Sequence, residues 1–266
     1  TGAAPSRGGQ QQPPAAAGGG RGGSGDARAG GAGGRSGKAD SPAPSAAPVA
    51  LTEDQLEKKL QDNLEEFFNV GDGKELIACL KELAPKLPEG RTDSLGFSLL
   101  GIAMPKACDA RTDGPRDRTC DLFGILATAS LVTSDEIKQY FTDMLEFLED
   151  EVCDVPHIAY YYSRFLAAAV AAKLIDLAFL PTALKPLVEA SLVKPDAAIL
   201  GKYAGAAWVF VDVLRQLKLM DGVGEEGAKA FYAAAKPDVA SLLPDGGEAA
   251  VAELLSAGDV SFVDPA

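Results

Sequence analysis

Residues 51–83 read LTEDQLEKKLQDNLEEFFNVGDGKELIACLKEL, and their spacing decides the fold class. Leu56, Leu60, Leu64, Phe67 and Phe68 fall on one face of an amphipathic helix. Thr52 stands where an N-cap hydroxyl is wanted, and Gln55 is placed to close a capping box. Leu51 and Leu56 are spaced as a hydrophobic staple. Asp72-x-x-Glu75 reads as a second capping box, opening a helix through Leu76, Ile77, Leu80 and Leu83 that Pro85 and Pro88 end.

The same grammar returns at Val132-Thr133-x-x-Glu136-Ile137, where Ile137, Tyr140, Phe141, Met144, Leu145 and Leu148 keep helical spacing. Between these points the pattern predicts a helix from about Thr92 to Met104, stopped by Pro105. A polar loop from Lys106 to Pro115 and a helix from Pro115 to Ser130 follow. Pro156 suits the first turn of a helix whose apolar face is Ile158, Tyr161, Tyr162, Phe165 and Leu166. Leu200, Tyr203, Ala204, Ala207, Trp208, Val211 and Leu214 form a buried stripe, and residues 224–256 give short Ala-rich helical pieces. No strict alternation bounded by hairpin turns occurs. The expected fold is all-α, an α-solenoid of stacked antiparallel helix pairs.

The first 50 residues have another character. They hold 14 of the 29 glycines and 6 of the 17 prolines, and no Leu, Ile, Met, Phe, Tyr or Trp. Such a segment cannot offset the entropy of ordering its backbone, so residues 1–50 are expected to be a disordered Gly/Ala/Pro-rich tail or linker. Its 5 Lys/Arg against 2 Asp/Glu give +3; the remaining 216 residues carry 20 against 36, or −16. The main domain is expected over 51–245, with a short helix and tail over 246–266. The best apolar run, Phe165 to Leu180, is interrupted by Lys173 and Asp176, which argues against a membrane span. No charged segment followed by an apolar core resembles a secretory signal, and the start at Thr1 suggests a piece of a longer protein. Cys79, Cys108, Cys120 and Cys153 form no C-x-x-C pair and read as reduced thiols of a cytosolic or nuclear protein.

The chemistry-bearing residues give no enzyme. His157 is the single histidine, with no nucleophile and orienting group to make it a general base. It cannot, with scattered cysteines, assemble a usual zinc site, and the tail glycines follow no strand as a phosphate loop must. No catalytic, cofactor or metal residue is expected. Acidic residues draw more notice. Glu146, Glu149, Asp150, Glu151 and Asp154 crowd the end of the helix that begins near Ile137 and the turn after it. Anions at a helix C-terminus are mildly unfavourable, while Asp154 is placed to cap the next helix. A solvated acidic face and a docking patch for a basic partner both fit. In the tail, Arg7-Gly8-Gly9, Arg21-Gly22-Gly23 and Gly33-Gly34-Arg35 fit either a plain linker or RNA contact through Arg7, Arg21 and Arg35. The body, at −16, favours basic protein surfaces over nucleic acid.

The run from Leu51 through Phe68 and Gly71 to Leu83, and the later Phe147-Leu148-Glu149-Asp150-Glu151-Val152-Cys153-Asp154-Val155-Pro156-His157, resemble the MI (MA-3) domain of the translation initiation factor 4 gamma family. The likeness covers about residues 51–245. It implies a HEAT-like stack and docking on the DEAD-box RNA helicase, initiation factor 4A, through Glu149, Asp150, Asp154 and Pro156. It implies a cytoplasmic scaffold that meets other cap-binding complex subunits through regions outside this chain. Inhibitory MI proteins of the tumour-suppressor type would bind the same helicase with the opposite effect. A protein working chiefly through RNA binding by the tail is the third reading. Two departures stand out: Ser130-Leu131-Val132 and Tyr140 replace glycines usual in the family, and the Lys106–Pro115 loop is long.

Overall fold

Thr52 Oγ1 accepts the Gln55 N–H at 3.2 Å, and the Gln55 side-chain oxygen accepts the Thr52 N–H at 3.0 Å. This closed capping box starts α1 (Glu53–Val70), which buries Leu56, Leu60, Leu64 and Phe67. Gly71 ends it in the left-handed conformation, φ 80°, which lets its N–H reach the Phe67 carbonyl at 2.8 Å. Asp72 then caps α2 (Gly73–Leu83) by accepting the Lys74 and Glu75 N–H groups. Only half of the expected second box forms, because the Glu75 carboxylate faces the Cys79 thiol at 3.7 Å instead. A two-residue link forces α1 and α2 into an antiparallel pair. A computed structural model supplies these coordinates and describes residues 49–188, 205–243 and 247–263. Most of the tail, with its arginines, and Leu200, Tyr203 and Ala204 of the apolar stripe lie outside them.

Helix α3 (Leu95–Asp109) departs from expectation at both ends. It starts at Ser94, whose hydroxyl accepts the Phe97 N–H at 3.1 Å, and it runs through Pro105. Pro105 lies in the last turn, where the Gly101 carbonyl it deprives of a donor belongs to an exposed residue that water can serve. The expected long loop shrinks to the four residues before α4 (Gly114–Thr128), and Arg116 explains why. Its buried guanidinium donates to the Ala107 and Ala110 carbonyls at 3.0 and 2.8 Å and to Asp113 at 3.0 Å. It also lies 4.3 Å over the Tyr161 ring. A cation at a helix C-terminus satisfies carbonyls that helix geometry leaves open, so one side chain closes the α3–α4 corner.

Ser130 follows α4 at φ 54°, and Thr133 with Glu136 forms a closed capping box for α5 (Ser134–Glu146). Glu136 does more than the pattern implied. One carboxylate oxygen accepts the Thr133 N–H at 2.8 Å, and the other accepts the Ser94 N–H at 2.8 Å, tying the starts of α3 and α5 together. Burial raises the Glu136 pKa, but hydrogen bonds from Ser94 and Thr133 outweigh it and hold the carboxyl below its usual range.

Short helices α6 (Leu148–Asp154) and α8 (Phe179–Ala183) flank α7 (Ile158–Ala171). After it come α9 (Ala206–Leu219), α10 (Gly224–Ala235) and α11 (Glu248–Ala257). The described residues are helices, turns and connecting segments, with no strand among them. Helix α4 packs on α3 and α7, α7 on α9, and α9 on α10, a succession of stacked helix pairs. Helix α7 is buried nearly all round, from Phe165 to Val170 without a gap. This accounts for the long apolar run as core rather than membrane span. No described helix is long and apolar enough to cross a membrane.

Candidate functional site

The acidic segment is built differently from a frayed helix end. Helix α5 stops at Phe147, whose carbonyl accepts the Asp150 and Glu151 N–H groups at 3.0 and 3.1 Å. A separate helix therefore begins there. Leu148 and Val152 bury its inner side against the core, which turns Asp150, Cys153 and Asp154 outward and leaves Glu149 half-buried. The break reverses the sign of the dipole argument. Glu149, Asp150 and Glu151 occupy the first turn of α6, where negative charge is stabilised by a few tenths of a kcal/mol each rather than penalised.

Asp154 is the last residue of α6 and does not cap α7. His157 occupies that N-cap position and makes no side-chain cap bond. Pro156 likewise precedes α7 rather than sitting in its first turn. It belongs to the tight turn that the Ile158 N–H closes on the Val155 carbonyl at 2.9 Å. A residue without an N–H and with fixed φ fits there, since nothing in the turn needs that donor. Asp150 and Asp154 are one helical turn apart and share a face. Both are exposed, and among the described residues neither carboxylate has a hydrogen-bond or ion-pair partner. Pro156 and His157 are exposed beside them. Arg7, Arg21 and Arg35 lie outside the described residues.

Two neighbouring features escaped the sequence reading. Glu151 turns inward, and the buried Tyr162 hydroxyl donates to its carboxylate. Burial, reinforced by that carboxylate, pushes the Tyr162 phenol far above its ordinary range, so it stays a neutral donor. Behind α6 lies a cleft of about 510 Å³ between the end of α3, α5 and the start of α7. Phe147 stands at its lip, 57 % exposed. One signal was present: Phe147 follows Tyr140 by seven residues and Met144 by three, which puts it at the edge of the Ile137–Phe141–Leu145–Leu148 stripe rather than at its centre, beside the two half-buried residues of the cleft wall.

Carboxylates held on one face of a short anchored helix can accept charge-assisted hydrogen bonds from arginine or lysine. Among the described residues no group of His, Cys, Asp and Glu is arranged to hold a metal ion. In class this is a helical-stack protein with an exposed acidic junction. Residues 56–176, which include α1 through α7 almost entirely, match the model of the MA3 domain, also called MI.

Similar proteins include eukaryotic translation initiation factor 4 gamma 1 of Oryctolagus cuniculus, 30% identical over 125 residues. Factor 4 gamma 3 of Homo sapiens is 26% identical over 118 residues, and factor 4 gamma 2 of Homo sapiens 24% over 141. These alignments cover 47%, 44% and 52% of this chain but only 8%, 7% and 14% of those proteins.

Proposed function

We propose that this chain is a docking module of translation initiation. Its acidic junction, Glu149, Asp150, Asp154 and Pro156, binds the DEAD-box RNA helicase initiation factor 4A. The carrying observation is the pair Asp150 and Asp154, exposed on one face of α6 within the MA3 span. Rigidity matters here: α6 is pinned by Leu148 and Val152, so its carboxylates meet a partner without first being ordered. The initiation factor 4 gamma relatives support the translation setting. The module works by holding the helicase in place, and the chemistry belongs to the helicase.

A pull-down with the purified helicase tests this. The chain retains the helicase, and the Asp150→Ala/Asp154→Arg variant, folded by circular dichroism, does not. Equal retention by the folded variant removes the assignment of the site.

A further inference from the structure

The cleft behind α6 has an apolar floor. Met104, Cys108, Ile158 and Tyr162 are buried beneath it, and Tyr140 and Met144 form a half-buried wall. The Tyr162 hydroxyl on the floor is already satisfied by Glu151, so the floor offers mainly carbon, and the Tyr140 hydroxyl on the wall is the polar group left for an occupant. At about 510 Å³ the cleft lies in the range that holds substantial ligand groups, roughly 300–1,000 Å³. Its rim is acidic: Asp109, Asp143 and Asp154 are exposed there, and among the described residues no Lys or Arg lines it. Asp154 belongs both to this rim and to the docking junction, so the cleft and the acidic face form one continuous surface.

We propose that the cleft receives a large apolar side chain from a partner segment in which that residue is flanked by arginine or lysine. The inference rests on the docking reading and deepens it: the same basic partner is anchored by one apolar residue behind its charge contacts. Charge selects the occupant, because a purely apolar or acidic segment would meet the carboxylates of the rim unfavourably. The chain's own cationic tail does not fit the description, since residues 1–50 contain no Leu, Ile, Met, Phe, Tyr or Trp to fill the cleft. Phe147 is the lip over which the anchor packs. An aromatic side chain more than half exposed beside an apolar hollow is the usual setting of an interface hot spot.

Calorimetric titration of the full chain with initiation factor 4A, comparing wild type, Phe147→Ala, Asp109→Lys and Asp150→Asn/Asp154→Asn, tests the proposal. Phe147 and Asp109 are exposed, and a lysine suits the C-terminal turn of α3, so both single variants keep the fold. Phe147→Ala weakens binding about tenfold and makes the binding heat capacity less negative, while its salt dependence stays that of wild type. Asp109→Lys weakens binding severalfold and lowers the salt dependence. If wild type binds, the double variant fails and both single variants bind normally, the cleft proposal falls and the docking reading stands. If wild type itself does not bind, both fall. Self-association of the chain alone, abolished by Phe147→Ala, would assign the cleft to a second copy and overturn the proposal.

Discussion

Glu136 carries a load that its surface-like position in a capping box conceals, and its removal is a quantitative test of how α3 and α5 are held. Its two oxygens serve different helices: one takes the Thr133 N–H and the Thr133 hydroxyl, the other the part-buried Ser94 N–H, each at 2.8 Å. Glutamine offers one acceptor and one donor in the same place, so Glu136→Gln keeps one helix start and presents an N–H to the other. The Thr133 bonds are exposed and contribute about 0.5–1 kcal/mol, as caps in contact with water do. The Ser94 N–H, left without an acceptor, costs about 1–2 kcal/mol. Glu136→Gln therefore destabilises by about 0.5–2 kcal/mol, depending on which helix start the amide oxygen serves, and Glu136→Ala by about 1.5–3 kcal/mol.

Urea unfolding followed by circular dichroism at pH 7 gives both values from the midpoint shift at constant m. Acid adds a second check. The folded-state pKa of Glu136 is held low, so its contribution is present above the unfolded value, about 4.3. It is lost as pH falls through the folded value. The gap between wild type and Glu136→Gln stays constant above about pH 5 and narrows below about pH 4. A Glu136→Ala variant within about 0.5 kcal/mol of wild type, or a gap that widens in acid, would contradict this role for Glu136.

Ser130 sits at φ 54°, where a side chain is strained and glycine is not, so Ser130→Gly raises stability by about 0.5–1 kcal/mol in the same unfolding assay. Gly96 donates to the Leu131 carbonyl at 3.0 Å, and a Cβ there would lie 2.4 Å from that same oxygen. Gly96→Ala accordingly destabilises by about 2 kcal/mol or more, seen as a lower melting temperature. Burial pushes the Cys108 and Cys120 thiols up to about 12 and raises that of Cys79, while Cys153 is exposed. A maleimide reagent at pH 7.5 thus labels the native chain in one fast phase, which Cys153→Ser removes; all four thiols react quickly in denaturant.

The elements most legible in the sequence were those with local causes. Thr52 with Gln55 and Thr133 with Glu136 both cap as their spacing implied, because a capping box needs only residues three apart. The all-α fold followed from apolar periodicity for the same reason. Features governed by distant partners were not legible. Pro105 was read as a stop, yet helix α3 continues because Arg116, seven residues beyond its end, closes the carbonyls of its last turn. The acidic segment was seen in the sequence, but its local physics was misjudged. The break at Phe147 depends on Leu148 and Val152 packing against α7 and the core, and that break moves three acids from a helix end to a helix start. The cleft was invisible for a similar reason, since its walls come from helices separated by up to about 60 residues of chain.

The proposed docking of α6 carboxylates on a basic helicase surface turns on charge. Isothermal titration of the helicase into wild type and into Asp150→Asn/Asp154→Asn, at two ionic strengths, measures it most directly, because the substitutions remove charge and leave shape unchanged. The double variant is expected to bind at least about thirtyfold more weakly, with a shallower salt dependence than wild type. Equal affinity and equal salt dependence in a folded double variant would contradict it.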